Sequence, residues 1–281
     1  MRPVAFALLP LVFALPALGT ETETRLPKGI SATLTMPGGE GPFPAVLMLH
    51  GLGSTRNEVG NLFADAAQAL ADRGIASLRF DYRGFGRSDG DTGDFTLDRQ
   101  NEDSLIALAA LIKAEGVDPA RIGVLGFSFG GGAAIELAAA EPDTVRSLVT
   151  WTPVGIYAAD MLDSMGQKVF DRAAEDGIVG LDLGWQTITL RQHFFDSLYA
   201  HDLPAALAAW PGPFLTINGD DDPYGKYADG LIAAAVGTDK QALVMKNSDH
   251  IFHVYTPSRS TAAEVVRITA ERFAKTLGRG E

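Results

Sequence analysis

Between Arg121 and Ala140 the chain reads RIGVLGFSFGGGAAIELAAA. A short apolar run enters Gly-Phe-Ser-Phe-Gly without a break, and an alanine-rich stretch follows at once. That order prescribes a buried strand, a tight turn carrying Ser128, and a helix starting directly behind the turn. A strand that feeds a helix this abruptly is half of a βαβ unit, so the rest of the chain must supply parallel neighbours.

The neighbours are present in the pattern. An apolar run over Ala45–Leu49 ends in His-Gly, and helical spacing over 57–73 stops at Gly74. IASLRFDYRG is a second strand, entering the glycine-rich turn RGFGRSDG, and a helix over 97–114 is broken by Gly116 and Pro119. Beyond Ala140 come the strand SLVTWTP, then PFLTING, a helix over 227–236, the strand QALVMK and a last helix over 258–277. Strands alternating with helices predict an α/β fold, a doubly wound and mostly parallel sheet. Residues ahead of Phe43 read as a polar leader. The segment 155–203 lacks a strong strand and carries Met161, Met165, Phe170, Trp185, Phe194 and Phe195. It is expected to be a small cap insertion lying over the sheet within one domain spanning 20–281.

The first nineteen residues stand apart from that domain. One arginine precedes an apolar run from Val4 to Leu18 that is interrupted by prolines, and Ala17-Leu18-Gly19 places small residues at −3 and −1. This is the composition of a secretory signal peptide over 1–19, with an apolar core short for a membrane span. Cleavage would leave Thr20 as the new N-terminus of a periplasmic or secreted protein with no stable membrane association. The chain has no cysteine, so such a protein depends on its core rather than on disulfides. A formal charge of −12 argues against nucleic acid or anionic lipid as partners. The same charge disfavours strongly anionic substrates.

A serine becomes nucleophilic when a base takes its proton and hydrogen-bond donors await the developing oxyanion. Gly126-x-Ser128-x-Gly130 has the spacing of a strand-to-helix elbow that exposes the serine. An acid follows PFLTING in GDDDPYG, where composition does not choose among Asp220, Asp221 and Asp222. A base follows QALVMK in NSDHIF, where His250 is the first candidate and His253 the alternative. Serine, then acid, then histidine, each just past its own strand, is the chain order this arrangement requires. His50 reads as structural, and His193 and His201 as cap or surface residues. His250 and His253 lack the carboxylate spacing of a metal pair, and RGFGRSDG lacks dinucleotide-loop or P-loop spacing. Neither a metal nor a cofactor is expected.

Over 43–277 the chain resembles the α/β-hydrolases, and within them the small bacterial serine esterases akin to cinnamoyl and feruloyl esterases and to dienelactone-hydrolase-like proteins. The stretches that carry the resemblance are HGLGSTRNE, RFDYRGFGRSDG, GFSFGG, NGDDDP and DHIF. It implies hydrolysis of a small-molecule carboxylic ester through an acyl-enzyme, with Ser128 as nucleophile, His250 as base and Asp222 as acid. It also implies an oxyanion hole from the backbone N–H groups of Leu52 and Phe129. The chain has Phe127 where that family's usual motif has histidine. Having no cysteine, it departs from dienelactone hydrolases proper, which use that nucleophile. An amidase or peptidase on the same fold is the nearest alternative. A catalytically silent binding protein is the alternative from another class.

Overall fold

The structure, a computed structural model, describes residues 19–278. The expected signal peptide over 1–19 therefore lies outside the described residues apart from Gly19. Within them, parallel strands β3 (Phe43–Leu49), β4 (Ala76–Phe80), β5 (Val117–Phe127), β6 (Val145–Trp151), β9 (Phe214–Gly219) and β10 (Lys240–Met245) form most of an eight-stranded sheet. With β1 (Thr20–Leu26) and β2 (Ile30–Met36) at one edge, the spatial order is β1-β2-β4-β3-β5-β6-β9-β10.

Strand β3 shows why this sheet is buried on both sides. Ala45, Leu47 and Leu49 point into one apolar cluster, while Val46 and Met48 point into the other. Successive side chains of a strand face opposite ways, so an unbroken apolar run needs a cover on each face. On one face the cover is α1 (Leu62–Ala71) and α9 (Ser260–Leu277), which present Phe63, Leu70, Val265 and Phe273. On the other it is α2 (Leu97–Ile112), α3 (Phe129–Ala140), α7 (Leu203–Ala208) and α8 (Ala228–Ala234).

Chain direction reverses at the centre. From β3 the chain crosses to β4 on one side, then returns past β3 to β5, which pairs with β3 in parallel register, Leu49 opposite Gly126. The carboxyl ends of β3 and β5 thus flank a topological switch point, where open α/β sheets form their binding crevice.

Two segments depart from the sequence expectation. The polar leader is a hairpin of β1 (Thr20–Leu26) and β2 (Ile30–Met36), antiparallel to each other, with β2 antiparallel to β4. The segment 155–203 is not strand-free: helices α4 (Tyr157–Met165) and α5 (Gln167–Asp176) lead into an antiparallel pair, β7 (Ile178–Asp182) and β8 (Thr187–Arg191), then α6 (Gln192–Ser197). Val179, Leu181, Ile188 and Leu190 alternate inward from that hairpin and join Phe194 and Phe195 in the core cluster of the main sheet. The insertion is a small sheet with helices, and it shares the core rather than closing one of its own.

Candidate active site

Ser128 sits at φ 54°, ψ −117°, between the end of β5 and the first turn of α3. A non-glycine residue in that region carries about 1–3 kcal/mol of backbone strain. The surroundings enforce it. A Cβ on Gly126 would lie 2.2 Å from Gly130 O, and one on Gly130 would lie 2.0 Å from Leu49 O. Those contacts are to backbone, which cannot step aside, so strand, turn and helix approach this closely only with glycine at both positions. Ser128 N donates to Trp151 O at 2.9 Å, tying the elbow to β6. Among the described residues Ser128 Oγ has no hydrogen-bond partner.

Asp222 and His250 meet at the neighbouring strand ends. His250 Nδ1 lies 3.0 Å from Asp222 Oδ1, and that oxygen also accepts from Tyr224 N at 3.1 Å. The Asp222 side chain is fully buried, whereas Asp220 and Asp221 are exposed. Asp220 accepts from Ser248 N at 3.0 Å and braces the loop ahead of His250. Its carboxyl is held below the usual range, chiefly by backbone N–H groups of Ser248 and Asn247. The His250 ring is flanked by Phe127 and Tyr224, with centroids at 5.2 and 5.0 Å. His253 turns away to Asp249, Nδ1 to Oδ2 3.3 Å. With Nδ1–H committed to Asp222, the His250 Nε2 lone pair is left to face the cavity.

Leu52 follows β3 in the turn Gly51–Ser54, closed by Ser54 N donating to Gly51 O at 3.2 Å. Among the described residues, neither Leu52 N nor Phe129 N donates to a protein group. His50 anchors the turn from below, donating from Nδ1 to Gly51 O at 2.8 Å and accepting at Nε2 from Tyr82 N at 3.1 Å. That pattern requires a neutral ring, and burial pushes its pKa down to about 4 against an ordinary 6.5. Folding therefore disfavours the charged form. The resulting stability is complete above pH 6.5 and is lost as pH falls from 6.5 towards 4, amounting to roughly 3 kcal/mol. We expect urea midpoints to drop over that window for the native protein and to drop less for His50→Gln. Parallel losses in both proteins would remove His50 from the acid response.

Leu52, Ser128, Phe129, Tyr224 and His250 line a cavity of about 440 Å³ that the insertion roofs with Met161, Met165, Val169, Leu181, Leu183 and Trp185. Ser164 and Asp182 are the polar contributions of the roof. Trp185 Nε1 donates to Gly53 O at 2.6 Å, so the tip of the β7–β8 hairpin is fastened to the turn that bears Leu52. Of the aromatic and methionine residues singled out in the sequence, Met161, Met165 and Trp185 reach the cavity. Phe194 and Phe195 fill the core, and Phe170 packs on Phe195 at 4.9 Å. His193 is exposed, and His201, half-buried at the end of the insertion, has its Nδ1 2.6 Å from Glu136 Oε1 on α3, a partner that raises its pKa. Sequence reasoning did not single out Tyr224 or Asp182. Tyr224 could have been found from its place two residues after Asp222; Asp182 gave no signal.

A family model described as serine aminopeptidase, S33, matches residues 41–203. The chain belongs to this serine aminopeptidase S33 family of α/β-hydrolases. As an S33-family chain it carries the turn at Leu52, the elbow at Ser128 and most of the insertion inside the matched stretch, with Asp222 and His250 beyond it. It is similar to esterase FrsA of Enterobacter sp. (strain 638), 38% identical over 144 residues that cover 50% of this chain and 33% of that one. It is also similar to an uncharacterized 31.7 kDa protein of Escherichia coli, 36% identical over 129 residues, 46% of this chain and 44% of that protein. The chain thus matches less than half the length of these relatives. Among solved structures it shares its fold with Est1E of Butyrivibrio proteoclasticus, determined with ferulic acid, at TM-score 0.69 and 21% identity, covering 87% and 96% of the two chains. A dienelactone hydrolase of Anabaena variabilis superposes at TM-score 0.63 with 19% identity, covering 92% and 99%.

Proposed function

We propose that this S33-family chain is an exported serine esterase that cleaves carboxylic esters through an acyl-enzyme. The observation that carries the proposal is the strained Ser128 at the floor of an apolar cavity shared with His250, whose far nitrogen is held by the buried Asp222. Export rests on the N-terminal leader alone.

In this reading Ser128 Oγ attacks the ester carbonyl carbon while His250 Nε2 takes the hydroxyl proton. Negative charge moves to the carbonyl oxygen, where the N–H groups of Leu52 and Phe129 receive it. The N-terminus of α3 adds the positive end of its dipole there. The tetrahedral intermediate collapses, the C–O bond to the alcohol breaks, and the alkoxide leaves with the proton from His250. A water then gives its proton to His250 and attacks the acyl carbon, and collapse returns the proton to Ser128 Oγ as the carboxylic acid departs. Throughout, Asp222 fixes the His250 tautomer and stabilises its cation. The apolar roof and the acidic surface favour neutral esters of short to medium acyl or aryl groups.

The test is a set of p-nitrophenyl acyl esters, followed by a fluorophosphonate and peptide mapping of the adduct. Turnover with the phosphonyl group on Ser128 is expected; an adduct on any other residue, or no turnover on any ester, overturns the proposal. A second reading is favoured by Asp182, the carboxylate in the cavity lining, which is suited to an α-ammonium group and hence to aminopeptidase activity. Aminoacyl p-nitroanilides cleaved faster than the matched esters would select it.

A further inference from the structure

Besides His50 at Gly51 O, the turn that bears Leu52 is held from the protein side by a carboxylate. Glu58 Oε1 accepts from Gly51 N at 2.6 Å, and Oε2 accepts from Ser54 Oγ at 3.0 Å and Val59 N at 2.7 Å. Gly51 and Ser54 are the two ends of the turn, and the unpaired Leu52 N–H lies between them. A Cβ on Gly51 would stand 3.4 Å from both Glu58 Oε1 and Ser128 Cβ, so this residue lies directly between carboxylate and nucleophile.

Two physical penalties attach to this side chain. Glu58 is buried, with no Lys or Arg within ion-pair distance among the described residues and His250 as its charged neighbour. Burial pushes its carboxyl above the ordinary range, and the hydrogen bonds from Gly51, Val59 and Ser54 pull it back. Its backbone sits at φ 61°, a region glycine occupies at no cost and glutamate does not. Burying a carboxylate without a cation at bonding distance is unfavourable. A structural role alone is met by simpler means: a glycine would relax the backbone, and an apolar side chain would fill the space. Two accepted bonds on one turn and a third from Val59 N, with Leu52 of that turn lining the cavity beside Ser128, indicate what the carboxylate supplies.

We propose that Glu58 is a positioning residue for ester hydrolysis, holding the Gly51–Ser54 turn so that Leu52 N–H points at the developing oxyanion. This rests on the serine-esterase reading. Misplacing a pre-oriented donor by a fraction of an ångström weakens it where charge develops, in the transition state, and leaves ground-state binding in the cavity largely untouched. Glu58 itself touches no substrate. Trp185 fastens the same turn from the insertion side at Gly53 O, and on the core side Glu58 shares the turn with His50, which holds Gly51 O.

The test compares native protein, Glu58→Gln and Ser54→Ala after counting active sites with a fluorophosphonate. Glutamine keeps the volume but offers one acceptor oxygen to donors that now meet two. Per titrated site, kcat on p-nitrophenyl butyrate is expected to fall about 10- to 100-fold in Glu58→Gln with KM within about twofold. The affinity for phenylboronic acid, whose serine adduct is tetrahedral, should fall by the same factor as kcat. Ser54→Ala removes one of the three bonds and should show a several-fold loss of the same kind with an unchanged Tm. A Glu58→Gln protein that melts lower but keeps kcat and boronate affinity per site has a structural glutamate, and the inference fails. If Glu58→Gln does not fold, native kcat in Ser54→Ala overturns it. Absence of ester turnover in the native protein would instead sink the esterase reading on which it stands.

Discussion

Replacing Ser128 with glycine is expected to abolish ester hydrolysis and to raise the melting temperature. Loss of the hydroxyl removes the nucleophile; in subtilisin, losing the nucleophile costs about 10⁶-fold in kcat. The gain in stability comes from the backbone, because φ 54°, ψ −117° is open to glycine and strained for serine. Relief of about 1–3 kcal/mol, less about 0.5–1 kcal/mol for the added freedom of glycine in the unfolded chain, leaves a net gain near 1 kcal/mol. In a domain of this size that is about 2–4 °C. Ser128→Ala serves as the control: equally inactive, it keeps a Cβ at positive φ and should melt within about 2 °C of the native protein. Calorimetry on the three proteins, beside an ester assay, decides. Equal melting temperatures for the alanine and glycine variants would mean that the elbow stores no strain, and activity in either would take the nucleophile away from Ser128.

The adjacent aspartates provide the second large contrast. Asp222→Asn should lower kcat about 10⁴-fold, because the amide no longer fixes the imidazole with Nδ1–H towards it nor stabilises the cation. Asp221→Asn should leave activity within about twofold, since that side chain is exposed and only its backbone N–H is used, donating to Ser248 O. Asp220→Asn should fall between these: it weakens the bond to Ser248 N that braces the approach to His250, so a loss of a few-fold is expected. Pre-steady-state kinetics on the three variants separates them. A loss at Asp220 equal to that at Asp222 would reassign the acid.

The same trio shows where the sequence stops being informative. Three identical side chains in a row differ only in how the turn after β9 rotates them. Backbone bonds from Asp220 N to Met245 O at the end of β10 and from Asp221 N to Ser248 O in the loop after it set that rotation. No local pattern encodes it. Ser128 was legible because its elbow needs glycine two residues either side, and β3 because burial on both faces leaves an unbroken apolar run. The β1 strand was invisible for the opposite reason. TETETRL is exposed from Thr20 to Arg25, with only Leu26 half-buried, so its Thr/Glu alternation has no apolar face to register. Its place is fixed by pairing with β2 and by ion pairs such as Glu21 to Arg79 at 2.8 Å, which no periodicity announces. The insertion's hairpin was missed because each strand has only five residues and the segment around it is rich in helix formers.

The four positions assembled at the crevice come from the ends of β3, β5, β9 and β10, and the chain between Leu52 and His250 is about three quarters of the domain. During synthesis the elbow and the Leu52 turn are complete more than a hundred residues before His250 emerges. Pairings so distant in sequence carry a large loop-closure entropy and form late. If His250 is the base, as proposed, a nascent or partly folded chain exposes Ser128 as an ordinary alcohol. On that reading reactivity arrives only when β10 docks beside β9, so recovery of activity on refolding should follow the slowest phase of sheet formation. A protein truncated before Lys240 would keep a serine at the end of β5 and never acquire a nucleophile.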